Sequence, residues 1–279
     1  MKVYKFYIIA FIVLILSTNI LFLFLIRKNV KQILSYHTYD DPFEMIQRTR
    51  CFARECFSFQ DLKSSSTVDI VMSEISSDYD IINKIKFSKG DVIIDIGAHV
   101  GVISTFIGRM NPETLIYSIE AVPLNYSNLV HNLKINNVLN VKPFANAIYD
   151  ENDKEVNLCF TPSNSGGSGV CSDVKGAMQM TQGTITLDTF FEKNKIEKVK
   201  LLKIDCEGCE FHVFKIIKPE TLKKIEYIVG EVHIDREVED RIKNKNDVPE
   251  YAQIINKIQP YIAVEKIFLK VVDQKRQFP

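Results

Sequence analysis

The apolar positions divide the chain into three textures. Phe6 to Ile26 is a run of 21 residues without a charge, relieved only by Ser17, Thr18 and Asn19. As a helix rising ~1.5 Å per residue it would measure about 31 Å, the thickness of a bilayer core. A cleaved signal peptide carries a shorter apolar stretch of ~7–15 residues. Here residues 20–26 prolong the run, so a retained single transmembrane helix is expected over residues 6–26. Lys2 and Lys5 precede it and Arg27, Lys28 and Lys31 follow, a near tie under the positive-inside rule.

Residues 28–88 form the second texture, read as a stem with leading helices. Asp40-Asp41-Pro42 signals a turn and Lys63-Ser64-Ser65-Ser66-Thr67 a polar linker, with room for a short helix over residues 43–59. Ser77-Asp78-Tyr79-Asp80 offers helix caps ahead of Ile81, Ile82 and Ile85.

The third texture, residues 89–279, alternates two periods. Val92-Ile93-Ile94-Asp95-Ile96 is a continuous apolar, largely β-branched run, the mark of a parallel strand buried on both faces. Similar runs occupy residues 116–119, 138–149, 199–204, 227–232 and 262–272. Helical spacing appears between them at 102–110, 124–136 and 210–217. This alternation predicts an α/β fold with a doubly wound, mostly parallel sheet. One stretch breaks the rhythm. Residues 157–186 contain Thr161-Pro162-Ser163-Asn164-Ser165-Gly166-Gly167-Ser168-Gly169, read as a long loop that either serves binding or is a tolerated surface insertion.

Charge and composition exclude several classes. Lysine plus arginine and aspartate plus glutamate each number 35, so the net charge is zero and no nucleic-acid partner is expected. A hydrophobic fraction of 46% excludes wholesale disorder, and six cysteines are too few for a disulfide-built scaffold.

The chemistry concentrates at strand ends. The first strand runs into Gly97-Ala98-His99-Val100-Gly101 and then a helix, where a turn can present backbone N–H groups to a ligand. The second strand ends at Glu120, placed to accept hydrogen bonds from ribose hydroxyls. The dinucleotide fingerprint is missing, because Ala98-His99 stands where its second glycine would be. A carboxylate at Asp95 would repel a pyrophosphate and suits the cationic S-adenosylmethionine, which disfavours an NAD-linked enzyme.

These blocks resemble the FkbM-type methyltransferases. The resemblance rests on residues 95–101, on Glu120-Ala121-Val122-Pro123-Leu124-Asn125-Tyr126 and on Asn132-Leu133-Lys134-Ile135-Asn136. It extends to Thr186-Leu187-Asp188, to residues 202–210 (Leu-Lys-Ile-Asp-Cys-Glu-Gly-Cys-Glu) and to Glu231-Val232-His233. It implies a class I, Rossmann-like methyltransferase fold that uses S-adenosylmethionine to O-methylate a hydroxyl of a sugar, lipid or small metabolite. Asp95, Gly97, Ala98 and Gly101 would line the methionine portion of the cofactor, Glu120 would hold the ribose, and Ala147 would lie beside the adenine. His99 departs from the family's usual Asn, and Ala121 from its common Pro.

Asp205, Glu207, Glu231 and His233 are the polar residues expected to converge on the chemistry. His233 titrates nearest neutrality and is read as either the base or an orienting residue, with Asp205 contacting substrate or cofactor. The same residues offer oxygen and nitrogen ligands, but the pattern alone assigns no metal. Cys206-x-x-Cys209 lacks the second pair that a structural zinc needs and is read as small residues packing a turn, while Glu210 is read as a solvated acid. Cys51 with Cys56 and Cys159 with Cys171 are locally paired, which suits a single-pass membrane protein whose catalytic domain is lumenal or extracytosolic. The alternative to an enzyme is an inactive fold acting as a membrane-tethered interaction protein, against which the retained Asp95, Glu120, Asp205 and His233 argue.

Overall fold

In chain order the elements are β1 (Met45–Phe52), β2 (Glu55–Leu62), α1 (Thr67–Glu74), α2 (Asp80–Lys84), β3 (Val92–Ile96), α3 (Val102–Met110), β4 (Leu115–Glu120), α4 (Pro123–Ile135), β5 (Val141–Ala145), β6 (Ala147–Ile148), β7 (Glu155–Thr161), β8 (Asn164–Val170), β9 (Met178–Ile185), α5 (Leu187–Lys193), β10 (Val199–Ile204), α6 (Glu210–Ile216), α7 (Pro219–Leu222), β11 (Ile225–Ile234), α8 (Pro249–Ile258) and β12 (Ile267–Asp273). The computed structural model describes residues 41–52, 54–171, 177–234 and 249–273. All these elements fall in one unit, Pro42–Pro279.

The main sheet has the order β12-β11-β10-β3-β4-β5, with every pair parallel. Successive residues of the central strands serve opposite faces, as the period of two requires. Ile93 and Leu201 join a core with α1 to α4, whereas Ile94 and Leu202 join one with α5, α6 and α8. The expected doubly wound architecture is therefore present. The strand order reverses between β3 and β10, and ligands of such sheets bind in the crevice at that switch point.

Two expectations from the sequence fail. Residues 43–59 hold no helix; β1 and β2 pair as an antiparallel hairpin whose register sets Cys51 opposite Cys56, and the two are disulfide-bonded. Alternate residues Phe57, Phe59 and Asp61 turn inward, and burial of the two phenylalanines against Phe106 and neighbouring apolar groups selects the strand. The inner edge of β2 is satisfied by side chains of α4. Asn132 Oδ1 accepts from Gln60 N at 2.7 Å while its Nδ2 donates to Gln60 O at 3.0 Å. Asn136 repeats the pattern on Ser58 at 2.9 and 2.6 Å. Two asparagines one helical turn apart thus replace a neighbouring strand.

Residues 157–186 are mostly sheet rather than loop, in the order β6-β9-β7-β8, with Cys159 bonded to Cys171. The glycines of β8 are demanded by close approach. A Cβ on Gly166 would lie 2.3 Å from Thr67 Cγ2, and one on Gly169 would lie 2.1 Å from the Glu207 carbonyl oxygen.

The expected membrane anchor is corrected. Residues 6–26 lie outside the described residues, and among the described residues no helix is long and apolar enough to cross a membrane. The single-pass placement, and the extracytosolic siting that depended on it, are not supported.

Candidate active site

The turn after β3 is shaped by left-handed backbone at Gly97 (φ 73°), His99 (φ 51°) and Gly101 (φ 86°). A Cβ at Gly97 would stand 1.8 Å from the Asp205 carbonyl oxygen, so only glycine lets the turn lie against the end of β10. Gly101 caps α3, and a Cβ there would meet Leu129 Cδ1 at 2.4 Å. Asp95 is 1% exposed and is held from behind: Lys203 Nζ lies 3.2 Å from its Oδ1, and Ser104 Oγ donates to its Oδ2 at 2.6 Å. Asp95 and Gly101 line neither of the two cavities described next, whereas Gly97, Ala98, Glu120 and Ala147 do.

Both cavities open at the carboxyl ends of the strands. The first is narrow, about 50 Å³, with Ile119, Glu120, Ala147, Ile148 and Leu158 among its walls. The second holds about 400 Å³ between α1, the β3 turn and the start of β8. Gly97, His99, Gly166, Asp205 and Glu207 belong to both. Glu120 accepts from His99 N at 2.8 Å and from Val122 N at 2.9 Å. Burial raises its carboxyl above the ordinary range, against the pull of these two N–H groups.

The walls fit S-adenosylmethionine by their chemistry. Glu120 offers its carboxyl oxygens to ribose hydroxyls, the aliphatic residues flank a flat base, and the Asp205 carboxylate suits a sulfonium passing nearby. His99 adds an independent sign. Ser165 Oγ lies 2.7 Å from His99 Nε2 and 3.2 Å from both oxygens of buried Asp61. Ser165 Oγ also lies 2.8 Å from Ser65 Oγ, and with its proton directed to Asp61 or Ser65, Nε2 carries the ring hydrogen and Nδ1 is an acceptor. Among the described residues Nδ1 has no hydrogen-bond partner, and a ligand N–H such as an α-ammonium would supply one.

The four residues expected at the chemical centre do converge. His233 Nδ1 lies 2.9 Å from Glu210 Oε1, and its Nε2 faces Glu207 Oε2 at 3.2 Å, Glu231 Oε2 at 3.6 Å and Asp205 Oδ1 at 3.9 Å. Burial alone would lower the imidazole, but Glu210 and Glu207 overturn it and raise His233 well above its ordinary value. The ring is thus held between acids on both sides, Glu210 at Nδ1 and Glu207 at Nε2. Burial likewise works against ionised Asp205, yet Lys203 and His233 hold it below the usual carboxylate range. Glu207, at φ 54°, is pushed up to about 8, chiefly by burial and then, against His233, by the neighbouring acids. Burial and Asp205 also raise Glu231.

The sequence reading missed several partners. Tyr79 on the way into α2 donates its hydroxyl to Asp205 Oδ2 at 2.7 Å. Glu74 at the end of α1 lines the larger cavity and is raised to about 7 by burial and by Glu231 and Asp205. Lys203 bridges Asp95 and Asp205 and donates to Gly97 O at 2.9 Å. Glu210 is buried, not solvated, and accepts from Cys206 N at 2.8 Å and Gly208 N at 3.1 Å. Cys206 and Cys209 are more than packing residues: they form a disulfide across this turn.

Comparisons with known proteins find methyltransferases. A protein described as Methyltransferase 1 of Beauveria bassiana (strain ARSEF 2860) is 25% identical over 186 residues, covering 59% of this chain and 73% of its own. Methyltransferase sdnD of Sordaria araneosa is 23% identical over 199 residues, covering 60% and 76%. The crystal structure of an S-adenosylmethionine-dependent methyltransferase from Agrobacterium tumefaciens aligns over 81% of this chain and 61% of its own, at 8% identity and a TM-score of 0.40. Residues 95–261, well over half of the chain and the source of most of the cavity walls, match the methyltransferase FkbM domain. The chain belongs to that family of methyltransferases.

Proposed function

We propose that the protein methylates a hydroxyl of a sugar or other small metabolite seated in the 400 Å³ cavity. The observation that carries this reading is Asp205. It lies just past β10 where the two cavities meet, so a cofactor whose base enters the narrower one would bring its methyl group to the larger one, where the acceptor sits. When bound, the cofactor supplies an electrophilic methyl group. Tyr79 occupies Asp205 Oδ2, which leaves Oδ1 to receive the acceptor hydroxyl and aim its oxygen. The hydroxyl proton passes into the neighbouring carboxyl group of Glu231, on the adjacent strand, with Glu74 beyond it. Ser66, Thr67, Ser163 and Asn164 on the cavity wall suit a polyhydroxylated acceptor, and Ile70 and Val71 its carbon face.

The test is transfer of labelled methyl into metabolite extracts, followed by identification of the product. With the acceptor in hand, Asp205→Asn should lower kcat by about 10²-fold, the scale of a misplaced reacting group. Its affinity for S-adenosylmethionine should stay within a few fold. Unchanged kcat in Asp205→Asn would overturn the assignment, and methyl found on nitrogen or carbon would overturn the hydroxyl.

A further inference from the structure

The surroundings of His233 exceed what one imidazole needs. Three carboxylate oxygens, from Glu207, Glu231 and Asp205, face Nε2 at 3.2, 3.6 and 3.9 Å. A single N–H can serve one of them, and the two longer distances exceed a hydrogen bond. Around a divalent ion with bonds of ~2.1 Å, adjacent octahedral ligands stand about 3.0 Å apart and opposite ones about 4.2 Å, and all three spacings fall between these limits. The ligand atoms of Asp205, Glu231 and His233 all lie within 4.8 Å of one another.

The outer contacts are of the kind that orient metal ligands. Nδ1 of His233 is fixed by the Glu210 carboxylate at 2.9 Å, the usual partner of a metal-bound imidazole. Glu210 is itself anchored by two backbone N–H groups of the turn that follows Asp205. Tyr79 steadies Asp205 through Oδ2, and Lys270 approaches Glu231 through Oε1 at 3.5 Å, so each carboxylate turns its other oxygen toward the ring. Glu231 and His233 stand two residues apart near the end of β11, and Asp205 is the first residue past the adjacent parallel strand β10, a rigid base. Asp205 and Glu231 line the acceptor cavity, which opens the remaining coordination positions to water or a hydroxyl.

We propose that His233 Nε2, Asp205 and Glu231 bind a divalent cation of the Mg²⁺ or Mn²⁺ class, with Glu207 as a fourth ligand within reach. Mixed carboxylate and single-imidazole sets favour such hard ions over thiophilic ones. The ion takes the place of the ring proton. Its role rests on the function proposed above: it would polarise the acceptor hydroxyl and ease loss of its proton. The binding itself does not depend on that reading.

The test uses the full chain stripped with EDTA and titrated with Mn²⁺ alone, reading free Mn²⁺ by electron paramagnetic resonance. One saturable site per chain is expected. His233→Ala and Glu231→Gln should each weaken it at least 10-fold. Glu210→Gln should weaken it about 10–100-fold through the ring orientation. Circular dichroism and S-adenosylmethionine binding should be retained in Glu231→Gln, which guards against a His233→Ala chain that fails to fold. Absence of saturable binding up to millimolar Mn²⁺, or binding indifferent to both Glu231→Gln and Glu210→Gln, would overturn the site. Saturable Mn²⁺ binding without methyl transfer to any hydroxyl would support the site and count against the proposed function instead.

Discussion

Replacing Lys203 by Met should cost about 3–5 kcal/mol, the range measured when one partner of a buried ion pair is removed. Lys203 sits on β10 directly opposite Asp95 on β3 and is 3% exposed, with its ammonium 3.2 Å from Asp95 and 3.7 Å from Asp205. Methionine fills the same space but leaves Asp95 with Ser104 alone and removes the donor from Gly97 O. Burial disfavours the ammonium, but Asp95 and Asp205 outweigh it and hold Lys203 above the ordinary lysine value. A raised cationic group stabilises fully below its unfolded value and fades only as pH climbs past the folded one, so the loss should be constant from about pH 6 to 9. For a domain of this size each kcal/mol shifts Tm by ~2–4 °C, giving a fall of about 6–20 °C. Urea unfolding followed by circular dichroism would measure it, with an unchanged slope showing that stability alone has moved. Adding Asp95→Asn to Lys203→Met should recover more than about 1 kcal/mol, because the uncompensated charge is then gone. A Lys203→Met loss below about 1 kcal/mol would refute the reasoning and mean that water reaches the pair.

Glu120→Ala should weaken S-adenosylmethionine binding by about 1–3 kcal/mol, the scale of charge-assisted hydrogen bonds, and calorimetry showing equal affinity would remove Glu120 from the ribose site. Burial lowers His99 below the ordinary histidine value, so the unfolded chain binds that proton more strongly. Stability from this source is complete above about pH 6.5 and is lost as pH falls below it; His99→Asn should flatten the acid side of a Tm–pH profile, and an unchanged profile would show that His99 is not held neutral.

The sheet was legible because its signals are strong and local. Residues 92–96 and 199–204 are apolar on both faces and could only be buried parallel strands. That Glu120, Asp205, Glu231 and His233 gather at the strand ends was legible for the same reason, since topology places those ends together, whereas Asp95, expected along the cofactor, lines neither cavity. The hairpin of β1 and β2 was hidden because only Phe57 and Phe59 mark its buried face, and Gln47-Arg48-Thr49-Arg50 at the centre of its outer strand show no alternation. The Gly/Ser strand was misread because its side chains are nearly absent, and what selects it is the nearness of Thr67 and Glu207, which no local pattern records. Tyr79 and Glu74 come from outside the resemblance, more than 120 residues before Asp205 in sequence. Lys203 did leave a trace: a lysine within a doubly buried strand demands a counter-ion, and Asp95 on the neighbouring strand was available.

The bare roof that β8 lays over the site limits how the protein can change its preference for acceptors. Where Gly169 meets the Glu207 carbonyl and Gly166 meets Thr67, even a methyl group collides, so drift along this strand cannot plant a new contact above the reacting atoms. The floor is equally closed to revision, because its acids ring His233 at 3.2 to 3.9 Å. Variation is left to the side walls, chiefly Ile70 and Val71 of α1 and Ser163 at the hairpin tip. Divergence of specificity among close relatives should therefore be recorded in those few positions, while the glycines above and the acids below stay fixed.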